Sequence, residues 1–423
     1  MLATTGAFIL SGLLLIYCLQ KKSPYTLAAL FLFALAPLRM DEGNLELSFL
    51  VFLGWLFVLY IAVVHASSQQ VSLRSFQLVE VKAISRFRFA LFAVIVVGLI
   101  IVWISQLGIT EFSGAHRRER LPFANIVNTI YTALVAYAVM ALGIQTSRIA
   151  LEHKLIAILL LLAVIFGGYL INKRGMAFFP LINIGLFLIL TAPTFRRKVW
   201  ALFLAGIFAI GGILGVIEMT AQRGGGDWQT GIESLQGTLA GETGNGLSPN
   251  MEVAVLEYTE QHGPFLPAYT LLSGFYGLIP RAFWDDKPEV GVGPTVGARV
   301  FGTGWGIIGL GAGTPVSPAA QVAGIFGVQA YVFGLIMVLL VFIAANLSAK
   351  RFPLIVYFIL VYSPWLMGSD IGRTQISITV GLVVLALVLR VFALRPIWRR
   401  HVTGKSQSLV GGAAYTDARA RYE

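Results

Sequence analysis

The chain has 423 residues, of which 57% are hydrophobic and only 12% charged, with a formal net charge of +11 and one cysteine, Cys18. A soluble domain carries about 25% charged residues, so a soluble globular class is excluded in favour of a polytopic membrane protein. A lone cysteine excludes a disulfide framework and a cysteine metal site, and the positive charge, spread over short loops, does not mark a nucleic-acid binder.

Apolar stretches of spanning length recur along the chain, and lipid requires their backbone groups to be satisfied internally. The expected class is therefore an all-α polytopic membrane protein without strand-like alternation. Spans are predicted at 3–20, 25–38, 46–65, 89–107, 124–143, 155–171, 176–192, 199–220, 319–346, 353–367 and 376–394, eleven in all. The first lacks a basic n-region and a small-residue cleavage site, so no separate cleavable signal peptide is read. The predicted organisation is an N-terminal bundle of about eight helices over 1–220, a large hydrophilic loop over 221–318, C-terminal helices over 319–394, and a polar tail over 395–423.

Sorting the Lys and Arg of the connecting segments by side gives 17 on one and 11 on the other, with four of the 11 in the long loop. Long loops count little in the positive-inside rule, so the first side is read as cytoplasmic. The N-terminus and the long loop then face out and the C-terminus faces in. The apolar stretch 265–278 inside the loop is read as interfacial or re-entrant, because one crossing there would turn Lys350, Arg351 and the basic C-terminus outward. If it crosses as part of a pair, the count rises towards thirteen.

Several charges on the outer side are unexplained by topology. Arg39 closes the second span. His116, Arg117, Arg118, Glu119 and Arg120 precede the fifth. Lys173 and Arg174 fill the hairpin Asn172-Lys173-Arg174-Gly175. Asp370 and Arg373 fill the last hairpin. Arginine offers a planar donor fork suited to phosphate oxygens, so a ring of them at headgroup depth suits a lipid-linked pyrophosphate. The plainer reading is that each snorkels to lipid headgroups or caps carbonyls. Asp370 and Arg373, three residues apart, also suit a simple ion pair.

Within the loop, Glu252, Glu257 and Glu260 have the spacing of a short amphipathic helix and read as a solvated face. His262 is either a general base near neutral pH or an ordinary loop residue. Trp284 stands among many loop aromatics, which favour the membrane interface and also stack on sugars. Pro280 and Pro288 bracket Arg281 and Lys287 and stiffen that run. The five histidines are scattered, and no P-loop or dinucleotide fingerprint occurs, so no cofactor or metal is expected.

The run Ile279-Pro280-Arg281-x-x-Trp284-x-Asp286-Lys287-Pro288 is followed by a Gly-rich stretch, Thr314-Pro315 and a span with Gly324-x-x-Gly327. With the Lys173-Arg174-Gly175 hairpin, this pattern resembles the Wzy-type polymerases of O-antigen and exopolysaccharide repeat units. The resemblance implies a GT-C-like glycosyltransferase of the bacterial inner membrane, acting at the periplasmic face on undecaprenyl-pyrophosphate-linked oligosaccharides. It implies a metal-independent reaction with the lipid pyrophosphate as leaving group, and membrane lipids, a chain-length regulator and a flippase as candidate partners. Arg281 and Arg174 are carried over as pyrophosphate ligands, joined by Lys173, Arg117, Arg118, Lys287, Arg39 and Arg373, with Trp284 beside them. The base stays open among His262, Asp370 and other carboxylates. Two alternatives stand: an O-antigen-ligase-like glycan transferase, and a transporter of the lipid-linked sugar. A transporter would place charge near the bilayer midplane on broken helices, often in internal repeats, and no repeat is evident here.

Overall fold

The computed structural model describes residues 2–35, 44–73, 76–80, 151–170, 251–277, 292–300, 316–367, 371–391 and 394–398, with isolated positions between them. Helix dominates. Helices α1 (Leu2–Lys21), α2 (Thr26–Leu35) and α3 (Leu45–Ser68) open the chain, and α4 (Leu151–Leu170) follows. In the long loop come α5 (Met251–His262), a 3₁₀ turn (Ala268–Leu272), α6 (Ser273–Gly277) and α7 (Gly293–Val300). Then come α8 (Pro318–Phe326), a 3₁₀ turn (Val328–Ala330), α9 (Tyr331–Ala349), α10 (Leu354–Leu366) and α11 (Ile371–Val391). Among the described residues three helices are long and apolar enough to cross a membrane: Ala3–Lys21, Leu45–Ser68 and Val328–Ala349.

The start of α3 follows from its cap. The Asn44 side chain accepts from Leu47 N at 3.2 Å, and Glu46 lies in the positive first turn. Its packing side buries Phe52, Trp55, Leu59 and Ala62, which join Tyr25 and Phe342 in the main core. Helix α9 runs parallel to α3: Gly54 lies against Leu335, and Asn346 Nδ2 donates to Ala62 O at 3.1 Å. The same end gathers other termini. Leu73 N donates to Lys22 O, and Tyr25 OH donates to Asn346 Oδ1 at 3.1 Å. Inside the long loop, the apolar stretch 265–277 is not one spanning helix. That stretch forms a five-residue 3₁₀ turn and a five-residue helix. Together they rise about 17 Å, short of the roughly 30 Å hydrocarbon core.

Two features differ from the sequence reading. Strands were not expected, yet Phe76–Glu80 (β1) pairs antiparallel with Leu394–Trp398 (β2), in register from Phe76↔Trp398 to Glu80↔Leu394. The ribbon follows the ends of α3 and α11, beyond their apolar turns, where internal satisfaction within one helix is not required. Pro396 is tolerated because a two-stranded ribbon leaves each strand one edge without a ladder partner.

The predicted span 319–346 is not one helix. Gly327, at φ +103°, ends α8 in a conformation L side chains rarely adopt, and its N–H donates to Ala323 O. The chain then folds back, so that Ala319 of α8 meets Gly334 of α9. A Cβ on Gly334 would lie 2.5 Å from Ala319 Cα, backbone against backbone. Small residues permit such approach between membrane helices. Gly334→Val is therefore expected to force α8 away from α9 and cost about 2 kcal/mol or more, read as a lowered thermal midpoint in detergent.

Candidate functional site

The long loop is anchored by a core of its own. Val255 of α5, Leu266, Val292, Val296 of α7, and Val316, Ala320 and Ile325 around α8 pack together, with Phe265, Leu271 and Val300 at the margin. Helix α8 is buried from Pro318 to Ile325 and supplies the polar links around it. Ser317, Gln321 and Gly324 recur at i, i+4 and i+7, one face of the helix. From that face Gly324 O accepts Phe265 N and Leu266 N, both at 2.9 Å. Gln321, wholly buried, donates from Nε2 to Thr270 Oγ1 at 3.2 Å and accepts Ile371 N on Oε1 at 2.8 Å. The loop element 265–277 and the first turn of α11 are thereby joined through one amide. Helix α6 packs on that turn, where Gly372 O lies 3.1 Å from the position of a Cβ on Gly274. Gln321→Leu removes both bonds and takes the acceptor from the buried Ile371 N–H, while Thr270 Oγ1 keeps its bond to Pro267 O. It is expected to cost about 1–3 kcal/mol, measured as loss of thermal stability of the purified protein.

The third link joins α5 to α3, α8 and α9. Glu252, in the first turn of α5, is 8% exposed. Trp55 Nε1 donates to its two oxygens at 3.1 Å each, Tyr331 OH donates at 3.0 Å, and Ser317 Oγ donates as well. Ser317 Oγ already accepts Ala320 N at 3.1 Å, so its proton is directed to Glu252. An indole N–H can only donate, and the pattern suits an ionised carboxylate. The N-termini of α5 and α8 meet there, and the positive ends of both helices favour a negative group. Trp55 is ten residues into α3, roughly 15 Å along the helix. The solvated-face reading is thus corrected for Glu252: Val253, Val255 and Leu256 beside it are buried too, and α5 rises from within the bundle. Higher on α5, Glu257 Oε1 accepts Asn44 Nδ2 at 2.7 Å, while Glu260 is exposed.

Of the predicted site residues, His262 closes α5 and is exposed. Its ring stacks on Tyr258 at 4.2 Å, and Nδ1 donates to Tyr258 O at 3.2 Å. In the neutral ring that bond leaves Nε2 as the acceptor, the form a general base requires. His262 stands ten residues from Glu252, at the other end of the helix. Trp284 is 38% exposed and meets Tyr276 edge-on at 6.2 Å, and Tyr276 faces Tyr269 at 6.4 Å. Arg373 is the third residue of α11, placed by its backbone next to the Gln321 link. Arg39, Arg117, Arg118, Lys173, Arg174, Arg281, Lys287 and Asp370 lie outside the described residues. Sequence reasoning missed Glu252, Ser317, Gln321 and Tyr331. A signal existed in the apolar neighbours of Glu252, since Val253-Ala254-Val255-Leu256 does not alternate with polar residues as a solvated helix would.

The chain is thus a predominantly helical protein with helices able to cross a membrane and an anchored polar loop. It matches no protein-family model, no curated protein and no solved structure.

Proposed function

We propose that the chain is a membrane glycosyltransferase that polymerises undecaprenyl-pyrophosphate-linked repeat units into O-antigen or exopolysaccharide. It would work as an eleven-span, GT-C-like protein at the periplasmic face of the bacterial inner membrane. The observation that carries this reading is the joining of the loop element to the first turn of α11 through Gln321. Thr270, eleven residues before Arg281, and Ile371, two residues before Arg373, are both bonded to Gln321. The motif run 279–288 and the outward arginines supply the chemistry. In the reaction an acceptor sugar hydroxyl attacks the anomeric carbon of the growing chain. The anomeric C–O bond to pyrophosphate breaks, the new glycosidic bond forms, and the hydroxyl proton passes to a base such as His262. Arginines at the pyrophosphate offset the charge that grows on the leaving group.

Cells lacking the protein test this reading. They should accumulate single repeat units on the lipid carrier. Long lipid-linked chains that fail to reach a final acceptor would instead indicate the ligase-like transferase. The transporter reading is favoured by one specific observation, a carboxylate buried beside a broken helix. Repeat units trapped on the cytoplasmic face would support it.

A further inference from the structure

Glu252 has no part in the reaction above, yet its carboxylate is buried and bonded to side chains of three other segments. A buried carboxylate among apolar helices is costly, and such residues persist where something depends on them. Its connections show what depends on it. Through Trp55 it ties α5 to α3, through Tyr331 to α9, and through Ser317 to the N-terminus of α8. One turn along α8, Gln321 holds Thr270 and Ile371, and one turn further Gly324 O holds Phe265 and Leu266. The three links occupy one face of a nine-residue helix whose Ala319 packs on Gly334 of α9. That helix is buried from Pro318 to Ile325, with Ala320 and Ile325 in the loop core, and Ser317 caps its N-terminus. The link to Glu252 therefore fixes that end of α8.

We propose that Glu252 is a positioning residue. By fixing the N-terminus of α8 it sets, 13 or more residues away in the chain, the placement of the loop element 265–277 and of the first turn of α11. The carboxylate is suited to this as no amide is: it accepts from three side chains at once, whereas a glutamine would turn its NH₂ towards one of those donors. The consequence for activity rests on the polymerase reading. The consequence for geometry does not.

The test uses the full-length protein in lipid nanodiscs. The single cysteine, Cys18, is buried, so a Cys18→Ala background leaves introduced cysteines as the reactive ones. Spin labels are placed through Phe57→Cys on α3 and Phe275→Cys on α6, which are 62% and 69% exposed. Their separation is read by double electron–electron resonance. One narrow distance is expected for the parent, and a broadened or displaced distribution for Glu252→Gln and for Ser317→Ala. Ser317→Ala keeps the carboxylate and removes its link to α8 together with the cap on Ala320 N, so it carries the test if Glu252→Gln fails to fold. Unchanged narrow distributions in the folded variants would overturn the proposal. In the polymerisation assay, Glu252→Gln should lower kcat by about 10²-fold, the effect of misplacing reacting groups by ångströms, with KM for the lipid-linked unit little changed. Glu252→Asp should restore part of the rate. Full kcat in Glu252→Gln removes the positioning role and leaves the polymerase reading intact. An inactive parent with a displaced distance in the variants removes the polymerase reading and leaves the positioning role.

Discussion

Arg281→Ala and Arg174→Ala should each abolish long polysaccharide while leaving the amount of protein in the membrane unchanged. The pyrophosphate leaving group gains charge as the glycosidic bond breaks, and a guanidinium at that oxygen is worth most in the transition state. Removing one such preorganised donor commonly costs about 10²–10³ in rate. At that loss, chains end after one or a few repeats. Lysine keeps the charge but not the planar fork, so Arg281→Lys and Arg174→Lys should give chains of intermediate length. Gel profiles of cell-surface polysaccharide read all four variants. Long polymer at parental abundance in both alanine variants would remove these two arginines from the site.

The second large effect concerns stability. Trp55 is wholly buried in α3 and is among the largest enclosed side chains of the described core. It donates to both oxygens of Glu252 and packs among α3 neighbours in the main core. Trp55→Ala removes that packing and a donor together, with an expected cost of about 3–5 kcal/mol. Trp55→Phe keeps most of the ring and removes the N–H, so it should cost about 1–3 kcal/mol by leaving part of the carboxylate unsatisfied. Thermal unfolding of the two variants in the same detergent separates packing from hydrogen bonding. Equal midpoints for Trp55→Phe and the parent would show that the indole N–H contributes nothing to holding Glu252.

What the sequence made legible was set by hydropathy and length. Helices α3 and α11 fall where apolar runs predicted spans, with limits shifted by a few residues: α3 starts at Leu45 because Asn44 caps it. The break at Gly327 was hidden because α8 and α9 are both apolar, and hydropathy does not register a reversal. The 28 residues of 319–346 exceed the roughly 20 a span needs, and that excess was the available clue. Ser317-Pro318 was a second clue, a cap followed by proline at the first helical position. Glu252 was misread because acidic spacing on a short helix is the pattern of a solvated face. What buries it is tertiary: Trp55, Ser317 and Tyr331 come from segments 65 to 197 residues away. The β1–β2 ribbon was equally illegible, since its partners lie more than 300 residues apart and each strand alone is too short to signal. For the candidate site, residue types were legible and neighbours were not. His262 and Trp284 could be named from the chain, but the Gln321 amide that joins the loop element to α11 required the fold.

The claim that this protein polymerises lipid-linked repeat units is tested most directly by the purified protein and a synthetic undecaprenyl-pyrophosphate repeat unit, with no nucleotide added. A ladder of products growing by whole repeat units, with one undecaprenyl pyrophosphate released per step, is the predicted result. No elongation, while the same protein in liposomes moves the repeat unit across the bilayer, would contradict it.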